Sequence, residues 1–547
     1  MKLKATSKNS ISSFKNSFLS AAGGFIPSLT LRASYATIFR GCLKEKIFAS
    51  AVLCFSVLIL FAGCMDEKSF YSDVRGSRTA SYVQWEQMQR QGQGQTVEIN
   101  GKLTLEDAVK LAMMNNQELM SAVEQREFAR GVVVESYSKV LPSVSVVGGY
   151  VRKDEVSGFT VGDRNVTMGA LDNYSADLVV RQPIYRGGAI SAALRAARLY
   201  SLFGDEQVRS QVQKTIYETA SAYFDVLLAG HLYSVNEDAV KSAQAQLADI
   251  KARRSEGLAS EFDILRAEVD VSNFRAEMIG QKNQISIATT RLLKAMGVSA
   301  GGGVELAEEL RYEQGGPPSL NEVVRAAYEN NPDLYLSEYE LRMQKEAVET
   351  AKSDFWPQVN GVFTQGWSRP DPHSATLDRW GNYWMAGVTV EWPLFSGFGR
   401  EGRLMQARAI YRQKQHRLRD VEQRVFLEAQ RELLNLQNAE EFVESQKLNL
   451  RRAQEGLRLA EVGFREGVNT QVEVIDARAA LTRAKGLYYQ SLHQHTTARL
   501  NLQRAMGVLG PKAGEKQGAG QDVKPGGLAE SIRQLQSQYS VQEKTAG

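Results

Sequence analysis

The side chains with most to offer chemically stand at two places 210 residues apart. "SEGLASEFDILRAE" (255–268) and "REGVNTQVEVIDAR" (465–478) write one turn and helix start twice, with Gly257 matching Gly467, Asp263 matching Glu473 and Ala267 matching Ala477. Ser260 with Asp263, and Thr470 with Glu473, fit the capping pattern in which a hydroxyl and an acid three residues later satisfy each other's backbone N–H groups. Glu473 and Asp476 are three apart, so they share a helix face. The first copy has Arg266 where the second has Asp476.

Elsewhere the residue types argue against catalysis. His231, His373, His416, His493 and His495 are scattered. His493 and His495, two apart on an expected helix, point apart, unlike a zinc-binding i, i+4 pair, and the histidines read as solvated positions. The glycine runs "SAAGGF" and "AGGGVEL" lack the lysine or the strand–helix context of a phosphate loop. Met113 and Met114 read as helix packing. No enzyme, metal or cofactor is expected.

One cysteine has chemistry of another kind. Lys44 and Lys46 precede "IFASAVLCFSVLILF", 15 apolar or small residues, short for a bilayer span and typical of a targeting segment. "LFAGC" then ends at Cys64 in a pattern resembling a bacterial lipobox, which implies cleavage before Cys64 and acylation of it; the alternative is a plain signal-anchor helix. Two or three acyl chains, at roughly 0.8 kcal/mol per buried CH₂, hold firmly. Cys42 and Cys54 would leave with the leader, so no internal disulfide is expected. Residues 1–63 carry +7 against a formal +4 for the chain, leaving the remainder at −3. No basic groove for nucleic acid is implied.

These groups sit on a duplicated frame. "LTLEDAVKLAMMNNQELMSA" pairs with "PSLNEVVRAAYENNPDLYLS", and "KVLPSVSVVGGY" with "DFWPQVNGVFTQ", at an offset of 215. "VVRQPIYRGG" pairs with "VEWPLFSGFG", and "LLKAMGV" with "LQRAMGV", at 210. The first copy therefore holds five extra residues between Pro142 and Pro183. This divides the chain into a leader (1–63), a lipidated linker (64–102), a first repeat (103–298), a second linker (299–317), a second repeat (318–508) and a Gly-, Lys- and Gln-rich tail (509–547).

Each repeat reads as helix, strand, strand, long helix, helix. The strand pairs fall at 143–183 and 358–393, with Pro142 and Pro357 opening the first strand. Pro183 and Pro393 are expected to close the second and to begin the following helix. In "YWMAGVTVEW", Trp384, Ala386, Val388, Val390 and Trp392 share a face. The two tryptophans lie about 27 Å apart at roughly 3.4 Å per residue, close to the ~25 Å apolar band of an outer-membrane barrel with its aromatic girdles; a soluble sheet with one buried face is the alternative. The segments from Gly188 and from Arg400 are proline-free and rich in helix formers, long enough for helices of about 100 Å that need partners along their length, as in a coiled coil. Four strands cannot close in lipid, so several chains must each donate four.

Together, the lipobox, the tandem repeat, the two strand hairpins, the long helices and "EGVNTQVEVIDARAALTRAK" resemble the TolC-type outer-membrane efflux family, in its lipoprotein branch. The resemblance covers nearly all of 103–508. It implies a mixed α and β membrane protein: a homotrimer with a twelve-stranded outer-membrane β-barrel, four strands per chain, continued by a periplasmic α-helical barrel. It implies a passive efflux duct in a Gram-negative outer membrane, working with a periplasmic adaptor and an inner-membrane RND or ABC transporter. Protein secretion through the same kind of duct is the nearest alternative; a coiled-coil spacer lipoprotein is the alternative of another class. In the family, carboxylates ring the periplasmic entrance; by position these are Glu473 and Asp476, with Asp263 and Arg266 at the first-copy equivalents. Focused negative charge there would favour cations and let multivalent ones block. The hairpin tips, Arg254, Glu256 and Gly257 with Arg465, Glu466, Gly467 and Asn469, are the expected adaptor contacts. The family's closing latch uses Tyr and Arg at positions here occupied by Phe464 and Asn469.

Overall fold

The computed structural model describes residues 67–91, 102–156, 158–162, 164–298, 304–312, 315–374 and 377–511. The leader, the lipobox at Cys64 and the tail beyond 511 lie outside the described residues. The chain divides into two units, 1–88 and 89–547. Helix α1 (Glu67–Gln91) falls almost wholly in the first and is largely exposed where its side chains are described; the sequence reading had assigned that linker no element.

In the second unit each repeat opens with two helices where one was expected. The first has α2 (Leu105–Asn115) and α3 (Gln117–Ser138); the second has α6 (Leu320–Asn330) and α7 (Pro332–Ser353). The break falls at Asn116 and again at Asn331, both in extended backbone conformation. An Asn caps a new helix well because its carbonyl accepts from the free N–H groups of the first turn. Asn116 accepts from the N–H groups of Glu118 and Leu119 at 3.0 and 3.1 Å, and its amide donates to the Ala295 carbonyl at 2.9 Å. Asn331 accepts from the Asp333 N–H and donates to the Ala505 carbonyl. Each break is thus tied to the far end of its own repeat, which explains the "MG" endings. Gly297 and Gly507 stop the last helices in left-handed conformation (φ 70° and 71°), and a Cβ on Gly297 would lie 2.2 Å from the Asn115 carbonyl oxygen.

Between these parts come β1 (Ser143–Arg152), a small ribbon of β2 (Gly158–Val161) and β3 (Arg164–Thr167), and β4 (Asp172–Arg186); the second repeat has β5 (Gln358–Arg369) and β6 (Gly381–Glu391). The ribbon lies in the longer loop of the first copy. The main sheet is antiparallel in the order β1-β4-β5-β6, so β1 and β6 are free edges. Pro183 does not end its strand: β4 runs on to Arg186, and a register shift between Pro183 and Tyr185 absorbs the proline's missing donor. Nor does either proline begin a helix, since α4 starts at Ala189 and α8 at Gly399.

The register sorts the two faces. Val146, Leu178, Gln365 and Trp384 align across the four strands, as do Gly148, Ala176, Trp367 and Asn382 on the same face, while the other face carries Ser145, Asp177 and Thr364. Trp384 is 70 % exposed and Val388 64 %. An apolar face this open on a finished sheet is a surface built for something other than water.

Helices α4 (Ala189–Ser255) and α8 (Gly399–Arg465) have 67 residues each, about 100 Å at ~1.5 Å per residue. They return as α5 (Glu261–Met296) and α9 (Gln471–Ala505). Near the sheet the helices pack in the order α3-α4-α7-α8, and toward the tips α5-α4-α9-α8. Around their middle, α2, α6 and the linker bury Leu292, Val323, Val443 and Tyr223, each such aliphatic side chain adding roughly 1.5–3 kcal/mol. The Tyr223 hydroxyl donates to the Leu103 carbonyl at 2.9 Å, and burial pushes its pKa up to about 12. Leu103 also pairs with Leu306 of the second linker. Among the described residues no helix is long and apolar enough to cross a membrane, which says nothing of a β-barrel.

Replacing Gly297 by Ala should cost at least about 1–2 kcal/mol from the left-handed backbone alone, read as a lower thermal midpoint. Gly230→Ala, within α4 and with open space around its Cβ position, should be neutral or stabilising by up to ~1 kcal/mol.

Candidate entrance gate at the hairpin tips

The α4–α5 and α8–α9 turns are built alike. Gly257 and Gly467 take φ 74° and 77°, the region where only glycine is unstrained. Leu258 N–H then donates to Arg253 O, and Val468 N–H to Gly463 O, both at 2.8 Å. Both expected capping boxes form. Ser260 N–H donates to the Asp263 carboxylate at 2.9 Å and Thr470 N–H to that of Glu473 at 2.7 Å, with the reciprocal bonds at 3.2 and 3.4 Å. The Ser260 hydroxyl and N–H hold the Asp263 carboxyl below the usual range. Both carboxylates are therefore engaged in capping.

Asp476 is different. It is exposed, and among the described residues it makes no hydrogen bond or ion pair. Its charge is felt at Asp270, which carries no motif in the sequence. Burial raises the Asp270 pKa, Arg266 lowers it and Asp476 raises it; one Asp270 carboxylate oxygen is buried without a partner. Arg266 thus acts electrostatically on Asp263 and Asp270, and Asp476 keeps an unneutralised charge.

Two further groups join the repeats here. Arg478 donates to the Ser242 carbonyl (3.3 Å), to Gln246 (3.4 Å) and to Glu461 (3.1 Å), tying α9 to α4 and α8 at once. The Arg253 guanidinium lies 4.5 Å from the centre of the Phe464 ring, a cation–π contact between the two tips. The Asn469 side chain lies against Gly463, where a Cβ would come within 2.7 Å of it. At the tips Arg254 donates to Ala259 O and Arg465 to Glu461 O, while Glu256 and Glu466 are exposed. Leu258 and Val468 occupy equivalent positions and are 77 % and 80 % exposed; the 210-residue echo contained this apolar pair.

The histidines are not solvated as a group. His495 is buried, with Tyr312 set edge-on to its ring; His493 meets Asp225 at 2.8 Å; His231 stacks on Tyr489, and burial lowers its pKa. The helices cross at these points, and helix periodicity alone does not tell which face a neighbouring helix covers. Met113 packs against the core, but Met114 is exposed.

The family model for outer membrane efflux proteins matches residues 108–298 and 323–508. The chain belongs to that family, a class of outer-membrane channels rather than enzymes. It is 23% identical over 421 residues to the pyoverdine export outer membrane protein OpmQ of Pseudomonas aeruginosa, covering 74% of this chain and 85% of the relative. It is 21% identical over 410 residues to Outer membrane protein TolC of Escherichia coli (73% and 81%), and 22% over 419 to the proteases secretion protein PrtF of Dickeya chrysanthemi (74% and 88%). Solved structures of CusC and of VceC from Vibrio cholerae share the fold, with TM-scores of 0.65 and 0.63 at 18% and 16% identity. They cover 74% of this chain and 92% and 96% of theirs.

Asp476→Asn should reduce divalent-cation block of conductance clearly more than Asp263→Asn; equal effects would contradict the asymmetry. For Asp270 the raised pKa means the folded state holds its proton more tightly than the unfolded chain. The resulting penalty is absent below the ordinary carboxylate range and grows as pH rises through the folded pKa. Asp270→Asn should therefore raise the thermal midpoint at neutral pH and leave it unchanged in acid.

Proposed function

We propose that this outer-membrane efflux channel is the passive exit duct of a tripartite system, closed as a trimer and driven by an inner-membrane pump through a periplasmic adaptor. One observation carries the reading. The sheet ends at β1 and β6, and the helical layer beside it ends at α3 and α8, the very helices that lead into β1 and out of β6. Both layers are open at the same two chain edges. Unpaired strand edges are not tolerated in lipid, and a contact between two different edges closes a ring when the rotation allows. Three chains supply twelve strands and a continuous helical wall.

In that ring Asp476, once per chain, is the unneutralised acid of the entrance, with Glu473 and Asp263 mainly caps and Arg266 balancing the first copy. Leu258 and Val468, with the surrounding tip residues, form the face offered to the adaptor. The pump is of the RND or ABC class, and the cargo is small molecules. OpmQ is named for pyoverdine export and TtgC of Pseudomonas putida for toluene efflux. PrtF, named for protease secretion, favours polypeptide export as the second reading. A coiled-coil spacer lipoprotein has no use for the open apolar face of the sheet. Acylated Cys64 would fasten the N-terminus to the outer membrane of a Gram-negative cell.

Purified chain in a planar bilayer should conduct ions, and silence under every opening condition would falsify the duct. Cys64→Ser should abolish incorporation of labelled palmitate while leaving conductance in place.

A further inference from the structure

Helix α8 begins with an unexplained excess of positive charge. Residues 399–419 hold seven Lys or Arg and one acid, against three and two in the matching stretch 189–209 of α4. Like charges four residues apart on a helix repel one another, so something outside the helix must favour them. Arg403 pairs with Asp354 and Lys414 with Glu340. Arg408 and Arg412 are exposed and make no hydrogen bond or ion pair among the described residues. They lie four apart, hence on one helix face.

The duplication says what that face meets. Inside the chain α4 packs on α7, with Arg195 paired to Glu346 at 2.7 Å, and Arg209 lying 5.2 Å from the Tyr335 ring centre. Helix α8 is the copy of α4 at offset 210, and α3 is the copy of α7 at offset 215. An α8–α3 contact between two chains is therefore the repeat of the α4–α7 contact within one. Carried over, Arg195 with Glu346 becomes Met405 with Gly131, and the antiparallel run from there brings Arg408 and Arg412 onto the stretch holding Glu127 and Glu124. Glu124 makes no pair of its own among the described residues, and Glu127 touches only Arg130.

The strands give an independent check. The β4–β5 register, Asp177 opposite Gly366 and Leu178 opposite Gln365, maps to Gly387 opposite Val151 and Val388 opposite Tyr150. That register keeps Val388 and Tyr150 on the apolar face already assigned from the pairing within the chain. A slip by one residue would put apolar and polar rows on the same side.

We propose that the interface between copies repeats the α4–α7 contact, with Arg412 meeting Glu124 and Arg408 meeting Glu127 of a second copy of this chain, and with Gly387 opposite Val151 across the strand seam. It deepens the ring reading and rests on it.

The test uses the full chain in outer membranes. Oxidation of Val151→Cys with Gly387→Cys should give covalent oligomers on non-reducing gels; each single variant, and Val151→Cys with Thr389→Cys, should not. Open space surrounds the Gly387 Cβ position, so folding is preserved. Arg412→Glu should lower the fraction of assembled ring roughly tenfold, as like charges meet, and adding Glu124→Arg should restore it. A ring that forms but cross-links only in the shifted pair, or is not rescued by the charge swap, overturns this interface and leaves the ring standing. A wild-type chain that stays monomeric in detergent and in membranes overturns the ring itself.

Discussion

A peptide group in hydrocarbon must find its partner within protein, because nothing else there can bond it. Most features of this chain follow from that constraint acting on four strands. The sheet cannot be complete in one molecule, so its edges, its face alternation and the helices flanking the edges are shaped for copies of itself. The long helices continue the same logic below the membrane. Each is too narrow an amphipath to be stable alone, and each becomes stable only as one stave among neighbours.

Where the helices turn back, the same side-chain type does two jobs. A carboxylate at the third helical position closes a capping box and is held by backbone N–H groups; a carboxylate one turn further on is left exposed. Asp263 and Glu473 are of the first kind and Asp476 is of the second. Among these positions the repeats differ in charge only where Arg266 stands against Asp476, so the two halves share a scaffold and differ in field.

The duplication, the strand pairs, the long helices and both tip turns could be read from residues, since each leaves a local signature: prolines, alternating rows, a glycine before a capping pair. The resemblance supplied the ring. What stayed hidden depends on contacts distant in sequence. The breaks at Asn116 and Asn331 look like ordinary polar positions in a helix until the Ala295 and Ala505 carbonyls are known to be waiting for them. Arg478 has no signature in the sequence, and only the approach of α4 turns it into a tie among three helices. Pro183 signalled an end to β4, yet a register shift lets the strand pass it.

The ties between repeats have a consequence for how the chain folds. Asn116 reaches Ala295, β4 reaches β5, Gln213 reaches Gly507 and Arg478 reaches Ser242. The last three cross from one repeat to the other. Neither half is a domain that could fold while the other is still being delivered. Such non-local closure is slow, and even after it an apolar sheet face and two strand edges stand open to aggregation until copies of the chain meet. A duplicated gene has here produced one interdependent unit, in which contacts of the first half stay unmade until the second has been delivered.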